Sequence, residues 1–232
     1  MREVIRSQAR GPRVVQPAPA SLRGVDIRRV ARDERADFAA FLATLPPPQW
    51  QAATLCAGWR VRDVAAHVIS YDELGLRELL GYAARGRFWS SRINAIALAR
   101  FQALTPEELL ALLMARLEPR GLPAALGCRV ALVECVIHHQ DVRRALGQPR
   151  TVPPERLVTA LRWAMIGPDI GGLWRTRGVR VVATDVGFAA GAGPVVHGPA
   201  EALLMTIAGR RGVARELSGP GQQKLASRVD LG

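Results

Sequence analysis

Lysine is nearly absent from this chain. Lys224 is its only lysine, and arginine carries almost all of the positive charge behind a formal net charge of +12 over 232 residues. Such one-sided usage reads as a compositional bias rather than a binding signature. Aromatics are also scarce, at 5%, and no block of basic residues is interleaved with them. The isoelectric point near 11.3 therefore lacks the charged stripe and stacking platform that a nucleic-acid binder presents. Much of the excess sits near the N-terminus, at Arg2, Arg6, Arg10, Arg13, Arg23, Arg28 and Arg29. Cysteine is limited to Cys56, Cys128 and Cys135, an odd number without CxxC spacing. This predicts a reducing cytoplasm and no disulfide framework. No apolar run is long enough to span a bilayer, and the N-terminal stretch has no continuous apolar core of the secretory kind.

What is present is a chain long enough to bury a substantial core, with 49% hydrophobic residues and a mean hydropathy of +0.07. Residues 1–25 are rich in Pro, Arg and Ala without periodicity and read as a flexible basic extension. From Val30 to Leu45 a helical face carries Val30, Phe38, Phe41 and Leu42, stopped by Pro46-Pro47-Pro48. A second helix begins near Arg60, with Val61, Val64, Val68 and Tyr71 on its inner face and Leu79 continuing it. A further helix is expected around Ile93 to Phe101. Thr105-Pro106-Glu107-Glu108 is a helix start with a capping box. Another helix is expected from Pro154 to Ile166. After GPDIGG the pattern changes, because Val179, Val181 and Ala183 alternate with other residues as in a strand. A short strand at Val195-Val196-His197 and a helix beginning after Pro199 follow, so residues 26–166 read as helical and 167–232 as a small α+β part.

The most informative stretch is RVALVECVIHHQDVRRALG, from Arg129 to Gly147. Between Val130 and Ile137 every residue is apolar except Glu134, which predicts a buried helix. At about 100° per residue, Glu134, His138 and Asp141 fall within roughly a 60° wedge. His139 points elsewhere and reads as an ordinary semi-exposed side chain. A carboxylate buried beside an imidazole is costly unless both are paired or share a metal ion. His67 lies beside the inner face of the second helix, four residues after Asp63. Two imidazoles and one carboxylate from two helices form a reasonable three-ligand set for Zn²⁺, and the same donors suit Fe²⁺, Ni²⁺ or Mn²⁺. Asp63 and Asp141 would orient the imidazoles from behind. The plainer alternative is that Glu134 pairs with an arginine and His67 is a satisfied core histidine. His197 has no evident role.

The blocks CAGWRVRDVAAHV, ECVIHHQDVRRALG and TDVGFAAGAGPVVHGPAEALLMTIAGR, in that order, resemble the mycothiol-dependent maleylpyruvate isomerase family, a branch of the DinB-like metal-binding bundles. The resemblance covers nearly all of the chain after residue 30. It implies a mainly α protein, a DinB-like four-helix bundle followed by a small sterol-carrier-like α+β domain. Carried onto matching positions, it implies metal ligands His67, Glu134 and His138, a role in activity for Arg210, and mycothiol as thiol cofactor. The implied reaction is isomerisation or thiol S-transfer on a small electrophile. The alternatives are a non-catalytic small-molecule or lipid binder on the same scaffold and, less favoured, a basic nucleic-acid-binding regulator. Monomer and homodimer both remain open.

Overall fold

Asp26 opens the first helix, α1 (Ile27–Leu42), by accepting the Arg29 amide on its carboxylate at 3.2 Å. Its inner face buries Val30, Phe38, Phe41 and Leu42, as the periodicity predicts. The proline run ends it in a 3-10 turn, Pro47–Gln51. The computed structural model describes residues 24–72, 81, 90–124, 126–168 and 170–230. The expected extension up to residue 23, and Leu79, lie outside the described residues.

Helix α2 (Val61–Ser70) starts where expected. It is followed by α3 (Ser90–Ala99) and α4 (Pro106–Ala115). The capping box at α4 is present in both directions: the Glu108 amide donates to Thr105 Oγ1 at 3.2 Å, and the Thr105 amide donates to Glu108 Oε2 at 2.7 Å. A short turn of helix, α5 (Gly121–Ala124), leads to α6 (Arg129–Ala145), the stretch with the polar wedge. Helices α1, α2, α4 and α6 pack as a four-helix bundle around Phe38, Leu42, Val64, Ile69, Leu109 and Leu113.

Helix α6 is apolar nearly all round because it serves two cores. Cys135 and Val142 enter the bundle, whereas Leu132, Val133, Val136 and Ile137 face the other way. There they meet Leu157, Val158 and Leu161 of α7 (Pro154–Ile166). That second core continues through the C-terminal part: α8 (Gly172–Thr176), β1 (Arg180–Ala183), β2 (Ala189–Gly191), β3 (Val195–Gly198), α9 (Ala200–Ile207) and α10 (Gln222–Asp230). The sheet order is β2-β1-β3, with β1 antiparallel to β2 and parallel to β3. Because β1 is central, Val182 is buried as well as Val181 and Ala183, and the simple alternation is lost there.

Two glycines place side chains around the site. Gly172 lies where a Cβ would sit 1.9 Å from the Ala164 carbonyl oxygen, so α8 can approach α7 only with glycine there. Gly209, at φ +85°, ends α9 in the left-handed region. The chain then turns back, with the Arg210 amide donating to the Met205 carbonyl, and Arg210 faces α6. Arg144 of α6 locks the two parts together, donating to Glu201 and, at 2.7 Å, to Glu216.

Candidate metal centre

Glu134 and His138 stand one turn apart on α6, and α2 brings His67 in from the bundle side. Glu134 Oε2 lies 3.2 Å from His67 Nε2 and 3.3 Å from His138 Nε2. One donor atom from each of the three residues can be chosen so that all lie within 4.8 Å of one another. The structure therefore brings together the three residues singled out in the sequence.

The hydrogen-bond partners of His138 fix which of its ring nitrogens faces Glu134. Asp141 is fully buried and sits 3.0 Å from His138 Nδ1. An ionised carboxylate only accepts, so Nδ1 carries a proton. In a neutral imidazole, Nε2 then presents a lone pair toward Glu134, and two acceptors face each other at 3.3 Å. A cation must stand between them, either a second proton or a metal ion. In the protonated form burial opposes the charge, yet hydrogen bonds to Asp141 and Glu134 outweigh it and hold His138 above its ordinary pKa. Burial pulls His67 below its ordinary value. For Glu134, burial works upward, but the hydrogen bonds and charges of His138 and His67 dominate and keep it ionised.

Arg210 grips Asp141 from the other side, with Nε 2.7 Å from Oδ1 and Nη2 2.6 Å from Oδ2. This fork is the geometry in which guanidinium and carboxylate bind most strongly. Arg210 thus connects to His138 through Asp141. Asp63 does not reach His67. Its carboxylate accepts the Arg60 amide at 2.9 Å and the Arg60 Nε at 3.0 Å, because local capping of α2 uses the same i, i+3 geometry. His67 Nδ1 is buried and has no hydrogen-bond partner among the described residues.

His139 is a correction. Its side chain is fully buried, not semi-exposed. Nδ1 sits 3.0 Å from Glu34 Oε1, and Nε2 accepts from Arg143 Nε at 2.9 Å. Arginine has no acceptor, so this pair of contacts defines a neutral imidazole with its proton on Nδ1. Glu34 in turn pairs with Arg150 and, at 2.7 Å, with Arg156. The double histidine divides its work: one ring faces the centre, the other anchors α6 to α1.

The centre lines a cavity of about 410 Å³ between the bundle and the C-terminal part. Trp59 closes one side, stacked on His138 with centroids 5.6 Å apart and edge-on to His67 at 4.6 Å. Cys56 also lines the cavity, and burial pushes its thiol up to about 11. Arg175 and Arg210 enter from the C-terminal part. Trp59 and Arg175 had no functional reading in the sequence. Trp59 stands four residues before Asp63 and eight before His67, which was its only signal; Arg175 follows a glycine-rich breaker and had none.

Two imidazoles and a carboxylate, presented by a helical bundle to a shared cavity, form a group with the donor types and spacing to hold a metal ion. Residues 31–120 match the family model of the mycothiol maleylpyruvate isomerase N-terminal domain. Two solved structures share the fold, those of the mycothiol-dependent maleylpyruvate isomerase and of a histidine-to-alanine mutant of it. Each superposes with a TM-score of 0.58 over 84% of this chain and 92% of its own, at 20% and 19% identity respectively. No curated protein matches the chain. The resemblance drawn from the sequence blocks is borne out, as is the expected fold class, mainly α with a small α+β part at the C-terminal end. Among the described residues no helix is long and apolar enough to cross a membrane.

Proposed function

We propose that this protein is a divalent-metal-dependent enzyme that uses mycothiol to act on a small electrophile, as an isomerase or a thiol S-transferase. The observation that carries this reading is the spacing of Glu134 from the two imidazoles. For metal–ligand bonds of 2.0–2.1 Å, the edge of a tetrahedron is about 3.4 Å; Glu134 Oε2 stands 3.2 and 3.3 Å from the two imidazole nitrogens. The two acceptors that would face each other at His138 and Glu134 when His138 is neutral support the same fit. His67, Glu134 and His138 would hold the ion, Zn²⁺ first among Zn²⁺, Fe²⁺, Ni²⁺ and Mn²⁺. A divalent cation there supplies positive charge that lowers the pKa of a coordinated thiol.

The chain's own residues supply the rest. Asp141 holds the His138 proton on Nδ1 and so presents Nε2 to the centre, and Arg210 holds Asp141. Trp59 covers the imidazoles and limits water on that side. The cavity's own thiol, Cys56, stays protonated at neutral pH, which favours a bound thiol as the source of the sulfur nucleophile.

The test is to incubate metal-loaded protein with mycothiol and a panel of electrophiles and to follow thiol consumption and double-bond isomerisation. Turnover by either route supports the proposal. Stoichiometric metal without turnover of any electrophile would instead favour the non-catalytic binder. Arg210→Lys keeps the charge but loses the two-pronged grip on Asp141. Metal affinity, measured by chelator competition, is expected to fall roughly 10- to 100-fold, the range for outer partners of a ligating histidine. An unchanged affinity would remove Arg210 from the centre.

A further inference from the structure

Three arginines line the cavity, and two are already neutralised. Arg35 pairs with Asp72 at 2.7 Å, and Arg210 with Asp141. Arg175 has no carboxylate partner among the described residues. Its Nη1 donates to the carbonyls of Ile170 and, at 3.0 Å, Ile207, which fixes the head group without cancelling its charge. The guanidinium also packs against Gly209, where a Cβ would lie 2.8 Å from Nη2 and 3.0 Å from Cζ. Among the described residues Nε and Nη2 make no hydrogen bond. Burial and the neighbouring Arg210 charge both press Arg175 below its ordinary pKa, the reverse of what an acidic partner does.

We infer that Arg175 is a carboxylate-binding subsite of the cavity and that it selects an anionic electrophile over a neutral one. The inference rests on the proposed function for the identity of the reacting partner, and the anion subsite itself stands on Arg175 alone. A fixed guanidinium with two unused N–H groups offers the planar donor pair that a carboxylate accepts. Among the described residues that line the cavity, Glu134 is the only carboxylate, and it faces the two imidazoles rather than Arg175.

The experiment titrates succinate, and its uncharged analogue succinamide, into metal-free protein, so that no metal ion can bind the anion. Wild type is expected to bind succinate and not succinamide. Arg175→Met should lose affinity by on the order of tenfold to a hundredfold, the worth of a hydrogen bond to a charged group. Arg175→Lys, which keeps a cation, should fall between the two. Equal binding of succinate and succinamide by wild type would overturn the inference without recourse to any variant that might misfold. So would full succinate affinity in Arg175→Met. Succinate should still bind in the presence of saturating mycothiol; displacement would assign the subsite to the thiol and overturn its assignment to the electrophile. Because these titrations contain no metal, they can fail while the metal centre stands, and the reverse.

Discussion

Replacing His67 with alanine is expected to abolish the stoichiometric binding of a divalent ion that we propose and, with it, the stability such an ion would add. An ion that binds only the folded state stabilises by about 4 kcal/mol at a free concentration ~1,000-fold above its dissociation constant. In wild type this should appear as a concentration-dependent rise in the denaturation midpoint on titration with Zn²⁺. In His67→Ala two donors remain, Glu134 and His138, both on α6, and the edge contributed by α2 is gone. The rise should shrink to a small fraction, with the helical spectrum intact. Among the described residues the His67 side chain makes one hydrogen bond, to Glu134, and its Nδ1 has none, so the metal-free variant should lose little else. Equal zinc stabilisation of both proteins would show that the ion binds elsewhere.

The second large effect lies outside the cavity. Glu34 is fully buried and holds His139, Arg150 and Arg156 at once. Burial alone would raise its pKa, but the hydrogen bond from His139 and the charge of Arg150 lower it from 4.5 to about 2. Glu34→Gln keeps the shape and removes the charge, leaving two arginines in a buried site without their shared carboxylate. The expected loss is about 3–5 kcal/mol of unfolding free energy by urea denaturation. The pH dependence gives the sign. A carboxyl with a depressed folded-state pKa contributes stability that is fully present above 4.5 and is lost as the pH falls through about 2. The gap between wild type and Glu34→Gln should therefore be widest at neutral pH and close progressively in acid. A gap that stays constant from pH 7 to pH 2 would contradict this origin.

Features governed by local spacing were legible in the sequence. Glu134 and His138 are one turn apart, and any helix at Arg129–Ala145 must put them on one face. Thr105 and Glu108 read directly as a cap, and the prolines at 46–48 as a stop. His67 could be placed beside an inner face, and the family blocks then joined it to α6. The same local logic misled at Asp63, where spacing of four from His67 suggested a supporting carboxylate but spacing of three from Arg60 prevailed. The burial of His139 is not legible locally, because its partner, Glu34, is 105 residues away; helical periodicity marks it as off the wedge without saying that α1 covers it. Arg175 was invisible for a related reason. Its position depends on Gly172 lying against the Ala164 carbonyl and on the turn at Gly209, both set by packing between elements far apart in the chain.

The most direct test of the central claim is a crystal structure of zinc-loaded protein with anomalous scattering measured at the zinc edge. The expected result is one peak per chain, about 2 Å from His67 Nε2, Glu134 Oε2 and His138 Nε2, with Asp141 still bridging His138 Nδ1 and Arg210. A peak instead among Cys56, His138 and Asp141, the other group of donors close enough to share an ion, would contradict it, as would a fully zinc-treated crystal with no peak at these residues.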